Sequence, residues 1–320
     1  MTIHEWLKFS RIHTAAATIS SILLGYYLGG GQVLSVGTVI FMAFGLLFHW
    51  AGFADNNLQD FKFDIADPMK EHFPLGRTID RKKAEKLVGL LFLVGIMFAA
   101  GLSWGDYFPF FIFLTSLGFG LLYNRVNKTS LWAGVFIGLC FSLLPLFSFY
   151  LTARYVDELI VWVSIYAFAQ VWFQNAISGS LKDLASNEYN PLRALGAKVE
   201  DGLLHMPDRA KWFSLSTKFL GFIPLLMASF LVGFGFWTYS GLVLFALAWL
   251  LSVDMVGETY FNNMKLKKAM AIIEILTVYA VVLACYPVIG LASFFIIGFS
   301  ITYFVVMNRL TWGTVITPNV

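Results

Sequence analysis

Apolar runs of about twenty residues recur from one end of this 320-residue chain to the other. That is the length a helix needs to cross the hydrocarbon of a bilayer. With no water there to satisfy the backbone, such runs fold as helices or as strands of a closed barrel. Barrel strands would alternate in segments of about ten residues, and these runs do not alternate. Charged residues are 13% of the chain and hydrophobic ones 58%, whereas a soluble domain carries about 25% charged. The expectation is an all-α, polytopic membrane helical bundle of about nine or ten transmembrane helices. The spans fall near 13–30, 34–54, 84–103, 106–124, 130–151, 156–178, 213–235, 237–256, 268–286 and 288–308. Pro287 and Gly290 allow two readings of the last pair, a turn between helices or a kink in one long helix.

Four polar connections, 55–83, 124–128, 180–212 and 257–268, fall on the N-terminal side of a ten-span bundle. They hold most of the lysines and arginines, among them Arg77, Arg81, Arg125, Lys128, Lys182, Arg193, Lys198 and Lys265. The opposite side carries Arg154 with Asp106, Asp157 and Glu158. Cytoplasmic loops are enriched in Lys and Arg, so the N-terminus and these loops are assigned to the cytoplasm. The expected organisation is one domain over 1–320, with cap loops at about 55–83, 180–212 and 257–268, each holding a short helix. The segment from Met1 to Arg11 reads as an amphipathic lead-in at the interface, with no cleavable signal. A formal charge of +3 gives no argument for nucleic acid. Cys140 and Cys285 lie inside apolar runs, where neither suggests a disulfide framework or a metal site. The chain reads as a multi-pass protein of the plasma membrane, in contact with lipid and with no obligate protein partner indicated.

Asn56, Asp60 and Asp64 recur every four positions directly after the second span, flanked by Asp55 and Asp67. If the helix continues, the three point the same way. Mg²⁺ takes oxygen ligands, often one or two carboxylates with substrate phosphates and water. Acids outside a membrane need no function, but Asn56 adds a neutral oxygen at the same spacing, and the cluster departs from the basic bias of its side. A second cluster follows the sixth span: Gln174, Asn175, Lys182, Asp183, Ser186, Asn187, Glu188 and Asn190. Asp183, Asn187 and Asn190 fall roughly on one helical face. Lys182, Arg125, Lys128 and Arg11 are the basic groups best placed to face a diphosphate. Positive residues are also expected here on topology alone. Asp254, Glu258 and Asn262 form a third acidic spacing, and Glu274 is a lone carboxylate inside a span, for which structural pairing is the preferred reading.

These segments resemble the signatures of the UbiA superfamily of intramembrane prenyltransferases. Asn56-Asn57-Leu58-Gln59-Asp60-Phe61-Lys62-Phe63-Asp64 is similar to its Asn-Asp-x-x-Asp-x-x-x-Asp pattern, with Asn57 in place of the first aspartate. Phe73-Pro74-Leu75-Gly76-Arg77-Thr78-Ile79 resembles the stretch before the family's third span. Tyr123-Asn124-Arg125 resembles the end of its fourth. The second signature is read at Lys182-Asp183-Leu184-Ala185-Ser186-Asn187-Glu188-Tyr189-Asn190, then Arg193, Gly196 and Lys198, with Ser186 and Asn190 where aspartates are common.

The resemblance implies that Asn56, Asp60 and Asp64 hold Mg²⁺ against an isoprenyl diphosphate, with Asp183 or Glu188 holding a second ion. Asp60, Asp64 and Asp183 would be catalytic. Asn56, Arg125, Lys128, Gln174, Asn175, Lys182, Asn187, Arg193 and Lys198 would bind substrate. The implied reaction is transfer of a polyprenyl group to an aromatic or glycerophosphate-type acceptor, with release of diphosphate. A UbiA-like phosphoribosyltransferase and a terpene cyclase remain open within the superfamily. A lipid-binding or transport protein is the alternative outside enzymes, although a transporter would place its acids at mid-bilayer in broken helices.

Overall fold

Helix α2, Ala15–Leu28, is buried on nearly every side. A helix apolar all round belongs inside a bundle, and helices Val36–Asp64, Ala133–Ala153 and Ala292–Trp312 pack against this one. The computed structural model describes residues 2–65, 74–185, 187 and 189–313. A short α1, Ile3–Phe9, and a single 3₁₀ turn, Ile12–Thr14, lead into α2. Then come α3 (Val36–Asp64), α4 (Arg81–Leu102), α5 (Tyr107–Val126), α6 (Ala133–Ala153) and α7 (Glu158–Phe173). Helix α7 passes through a π-helical segment, Gln174–Gly179, into α8, Ser180–Lys182. After α9 (Pro191–Ala194) and a two-stranded hairpin follow α10 (Asp208–Phe219), α11 (Phe222–Val232), α12 (Phe236–Gly257), α13 (Asn263–Ala284), α14 (Tyr286–Ile289) and α15 (Ala292–Trp312).

Eight helices among the described residues are long and apolar enough to cross a membrane, counting α7–α8 and α10–α11 as one each. Helix α2 and the more charged α13 bring the long helices among the described residues to ten. Large apolar side chains such as Leu90, Leu93 and Met97 on α4, and Val243, Leu247 and Leu250 on α12, are exposed. On a multi-pass membrane protein these faces meet lipid. Pro287 and Gly290 mark a turn: Gly290 takes a φ of 52°. Beyond it α15 runs back along α13, with Tyr279 Oη 3.0 Å from Ser300 Oγ and Ser293 Oγ donating to Val282 O at 3.2 Å.

Side-chain caps set several helix starts. The Oδ1 atoms of Asp80, Asp106, Asp157 and Asn262 accept from backbone N–H groups two or three residues on, at 2.9–3.0 Å. Each satisfies a donor that the first turn leaves without an intrahelical partner. The loop acids Asp106 and Asp157 are therefore accounted for structurally.

The cap loop 180–212 holds the short helix expected of it and a hairpin besides, whereas 257–268 has none between α12 and α13. Segment 180–212 holds α9 and a hairpin, β1 (Lys198–Glu200) against β2 (Leu203–His205). Its turn, Asp201-Gly202, has positive φ at both residues, the geometry that matches strand twist in two-residue hairpins. Segment 258–262 forms no helix of its own but adds to this hairpin, with Leu204 N–H donating to Thr259 O at 2.8 Å and Phe261 N–H to Gly202 O at 2.9 Å. In 74–80 the chain makes a tight turn whose Leu75 and Ile79 pack with Phe9, Ala54 and Leu58.

Helices α2 and α6 approach closely at Gly25, where a Cβ would overlap the Pro145 carbonyl oxygen. Overpacking into backbone costs about 1–3 kcal/mol or more. Gly25→Ala is expected to lower thermal stability in detergent by about 3 kcal/mol. Gly89→Ala, which meets nothing within 4 Å, should be neutral or slightly stabilising. Equal melting temperatures for the two variants would contradict this packing.

Candidate functional site

Helix α3 does not stop where its apolar run ends but continues to Asp64. Asn56, Asp60 and Asp64 are 6%, 4% and 7% exposed, on an inward face, while Gln59, Lys62 and Phe63 between them are exposed. The four-residue spacing thus converges on the bundle interior. Asp55 is also buried, but its carboxylate is taken up locally. Asn124 Nδ2 donates to Asp55 Oδ2 at 2.8 Å and to Gly52 O at 3.0 Å, and Gln59 Nε2 donates to Asp55 Oδ1 at 3.1 Å. Asn57 turns the other way, its Nδ2 donating to Phe9 O, which ties α1 to α3.

Asp60 Oδ2 accepts from Asn127 Nδ2 at 3.2 Å, while Asp60 Oδ1 is buried with no hydrogen-bond partner. Lys128, Asp64 and Arg11 are the charged groups whose fields act on Asp60. Burying an ionised carboxylate costs several kcal/mol unless it is compensated. An orphaned carboxylate oxygen beside a second carboxylate and an amide is a donor set suited to a hard cation. Among the described residues no three His, Cys, Asp or Glu side chains converge. What fits is an ion held by Asn56, Asp60 and Asp64 that shares its remaining positions with ligand phosphate and water, a common arrangement for Mg²⁺.

The second motif is not the helical face expected of it. The helix ends at Lys182 and the chain turns at Asp183. Asn187 N–H donates to Asp183 O at 2.9 Å, and Asn187 Oδ1 accepts from Tyr189 N–H at 3.1 Å. Asn190 is a buried N-cap of α9, accepting from Leu192 N–H at 2.9 Å and donating to Ser180 O at 2.6 Å. Pro191 at the first position of α9 explains the break, since proline disfavours helix in the residue before it. Asp183 stands between two ammonium groups, Lys128 Nζ at 3.7 Å and Lys182 Nζ at 3.8 Å. Glu188, Ser186 and Asp67 lie outside the described residues, as does Phe73.

The remaining expected residues divide. Asn175 Oδ1 accepts from Tyr123 Oη at 3.1 Å, and Gln174 Nε2 donates to Glu274 Oε2 at 3.2 Å, so Glu274 has the partner expected of it. Arg125, Arg193 and Lys198 are exposed. Lys198 pairs on the hairpin with Glu200 at 2.8 Å. None of the three is among the residues that line the cavity described next. Glu258 is paired with Lys265, and Asp254 is exposed.

A cavity of about 410 Å³ runs into the bundle. Arg11, Asn56, Asn175, Lys182 and Lys267 line its polar end, and Phe44, Phe113, Val281 and Val282 its apolar part. Such a volume lies in the range of small-molecule sites, about 300–1,000 Å³. Sequence reasoning missed Asn127, an amide in a loop with no periodic signal, and Lys218, which also lines the cavity. Lys218 had a signal, a lone charge inside an apolar run, the same one that marked Glu274.

These features define a polytopic helical-bundle membrane protein with a buried acidic helix face and an apolar central cavity. The sequence profile of the UbiA prenyltransferase family matches residues 18–262. The chain belongs to that family. No curated protein matches it in sequence. Among solved structures it is similar to an apo UbiA homologue from Aeropyrum pernix K1, at 14% identity and a TM-score of 0.64, covering 87% of this chain and 98% of that one. A UbiA homologue from Archaeoglobus fulgidus bound to GPP and Mg²⁺ aligns at 14% identity and a TM-score of 0.61, over 92% and 99% of the two chains. A structure of digeranylgeranylglyceryl phosphate synthase aligns at 15% identity and a TM-score of 0.59, over 87% and 98%. At these identities the likeness shows the fold.

Asn124, with Gln59, lets Asp55 stay buried. A hydrogen bond to a charged group contributes about 1.5–3 kcal/mol, and leaving the group unsatisfied costs a similar amount. Asn124→Ala should lower unfolding stability by about 2–3 kcal/mol, and Asp55→Asn in the same background should recover part of it. A purely additive double-mutant cycle would refute the coupling.

Proposed function

We propose that this protein transfers a polyprenyl group from an isoprenyl diphosphate to an aromatic or glycerophosphate-type acceptor at the membrane, releasing diphosphate in a Mg²⁺-dependent reaction. The observation that carries the reading is the buried Asn56–Asp60–Asp64 face of α3, with an orphaned Asp60 oxygen, whose Asn56 lines the polar end of an apolar cavity. Family membership supports it, as do the Archaeoglobus fulgidus homologues, solved with GPP and Mg²⁺ and with DMAPP and Mg²⁺.

Asn56, Asp60 and Asp64 would hold Mg²⁺, which when bound supplies positive charge against the diphosphate. Asn127 fixes the Asp60 carboxylate through its other oxygen. Lys128 and Lys182 would face the diphosphate and stabilise the negative charge that develops on it as it leaves. Asp183 holds both ammonium groups in place, and in this reading they stand where a second cation would otherwise be needed. Asn175, fixed by Tyr123, and Gln174 would line the path of the prenyl chain's first carbons. The phenylalanines beyond them would receive the apolar tail and exclude water from a reactive allylic carbon. The chain would act as one domain, with 55–83, 180–212 and 257–268 as cytoplasmic cap loops of a plasma-membrane protein. Asn187 would help shape the loop carrying Asp183.

With purified protein, geranyl diphosphate and Mg²⁺, Asp60→Asn and Asp64→Asn should each reduce diphosphate release about 100-fold, or about 2.7 kcal/mol. Arg193→Ala and Lys198→Ala should stay near wild type. Wild-type rates in both aspartate variants would end the proposal. Topology has its own check: in intact cells an impermeant maleimide should label Tyr155→Cys and spare Arg77→Cys, and the opposite pattern would invert the orientation.

A further inference from the structure

The cavity has a second polar patch, below its polar end. Lys218, only 1% exposed, lines it from α10. Its Nζ donates to Gln170 Oε1 on α7 at 2.6 Å and to Thr277 Oγ1 on α13 at 2.7 Å. The ring of Phe173 lies 4.9 Å away and that of Phe245 5.5 Å, a cation–π setting. Thr277 Oγ1 in turn donates to Ile273 O at 2.6 Å, and Tyr166 Oη donates to Thr277 O at 2.7 Å. The ammonium is thus braced by three helices. Where α10 gives way to α11, Gly221 makes room: a Cβ there would overlap the Gln170 amide.

Glu274 lines the same cavity one turn before Thr277 and is held by Gln174 through Oε2. The charges of Lys218 and Glu274 act on one another, yet among the described residues they form no direct ion pair. A carboxylate and an ammonium facing one cavity without closing on each other cost more to bury than a closed pair. A group that donates to the first and accepts from the second would offset that cost, and an uncharged hydroxyl does both. An anion would be repelled by Glu274 and a cation by Lys218. Depth agrees: Glu274 lies seven residues beyond Lys267 on α13, about 10 Å further into the bundle at 1.5 Å per residue. In the reading above, that is below a diphosphate held at the polar end and beside Gln174, which lies on the path of the first prenyl carbons.

We propose that Lys218 and Glu274, braced by Gln170, Gln174 and Thr277, form the acceptor subsite, and that it binds the hydroxyl of a lipophilic alcohol or phenol. The inference rests on the prenyl-diphosphate reading above and adds to it the chemistry of the acceptor's reacting end. The hydroxyl oxygen forms the new bond to the first prenyl carbon. The bond from that carbon to the diphosphate oxygen breaks, and its electron pair leaves with diphosphate. The hydroxyl proton passes to the Glu274 carboxylate and on to solvent through the polar end of the cavity.

The test uses the full chain in lipid nanodiscs with geranyl diphosphate, Mg²⁺ and two families of probes. These are decanol, its methyl ether and decanoate, and naphthol, methoxynaphthalene and naphthoate. Mass spectrometry reads the prenylated product, and diphosphate release and geranyl diphosphate binding are read separately. Wild type should prenylate the hydroxyl compounds only. Glu274→Gln should lower kcat for transfer about 100-fold while geranyl diphosphate binding stays within about twofold. Glu274→Asp should restore part of the rate. Lys218→Met should raise the acceptor KM about 10-fold. A merely structural pair would instead weaken both substrates and lower stability together. The inference is overturned if Glu274→Gln keeps wild-type kcat and acceptor KM. It is equally overturned if the methyl ethers or carboxylates compete with the hydroxyl compounds as well as these bind, a measurement that needs wild type alone. Wild type that releases diphosphate but prenylates no hydroxyl probe removes this inference and leaves the diphosphate site standing. Wild type that neither binds geranyl diphosphate nor releases diphosphate removes the underlying reading, and this one with it.

Discussion

Charge inside a low-dielectric bundle has to be compensated, and this requirement organises the interior of the protein. Asp55, Asp60 and Asp64 all lie below 10% exposure within three turns of α3. Each carboxylate would be expensive to bury alone. The bundle answers mainly with amides: Asn124 for Asp55, Asn127 for Asp60. These amides come from α5 and the turn after it, so the need to satisfy α3 also fixes how α5 sits against it.

The same logic separates the two motifs. The first keeps an orphaned carboxylate oxygen and two neighbouring oxygen donors, a set that favours a cation. In the second, Asp183 is met by lysines and Asn190 serves as a helix cap. An asparagine that caps a helix and reaches back to Ser180 is engaged on both sides of its amide. The substitution that looks like a lost ligand in the sequence is a structural residue in the fold.

Much of the architecture was legible in the chain. The apolar runs located every membrane-crossing helix, with α3 alone running ten residues past its expected end, because the bilayer imposes a length and a composition that no packing detail overrides. The spacing of Asn56, Asp60 and Asp64 located one face, because α3 continues past its apolar run and a period of four then holds them in register. The same reasoning failed at 183–190, where Pro191 breaks the helix and the period no longer applies. Arg125, Arg193 and Lys198 were grouped with the site by their charge, a property that also follows topology near a membrane, and all three are exposed.

By itself, then, the sequence determined a helical membrane bundle, its spans and one acidic helix face, since these follow from local periodicity and from the solvent. Only the tertiary structure decided which polar groups meet. Asn127 reaches Asp60 across 67 residues, and Lys218 reaches Gln170 across 48 and Thr277 across 59. No local pattern encodes such distances. They are set by which helices cross and how closely, and at Gly25 and Gly221 by the absence of a side chain that would hold neighbouring groups apart.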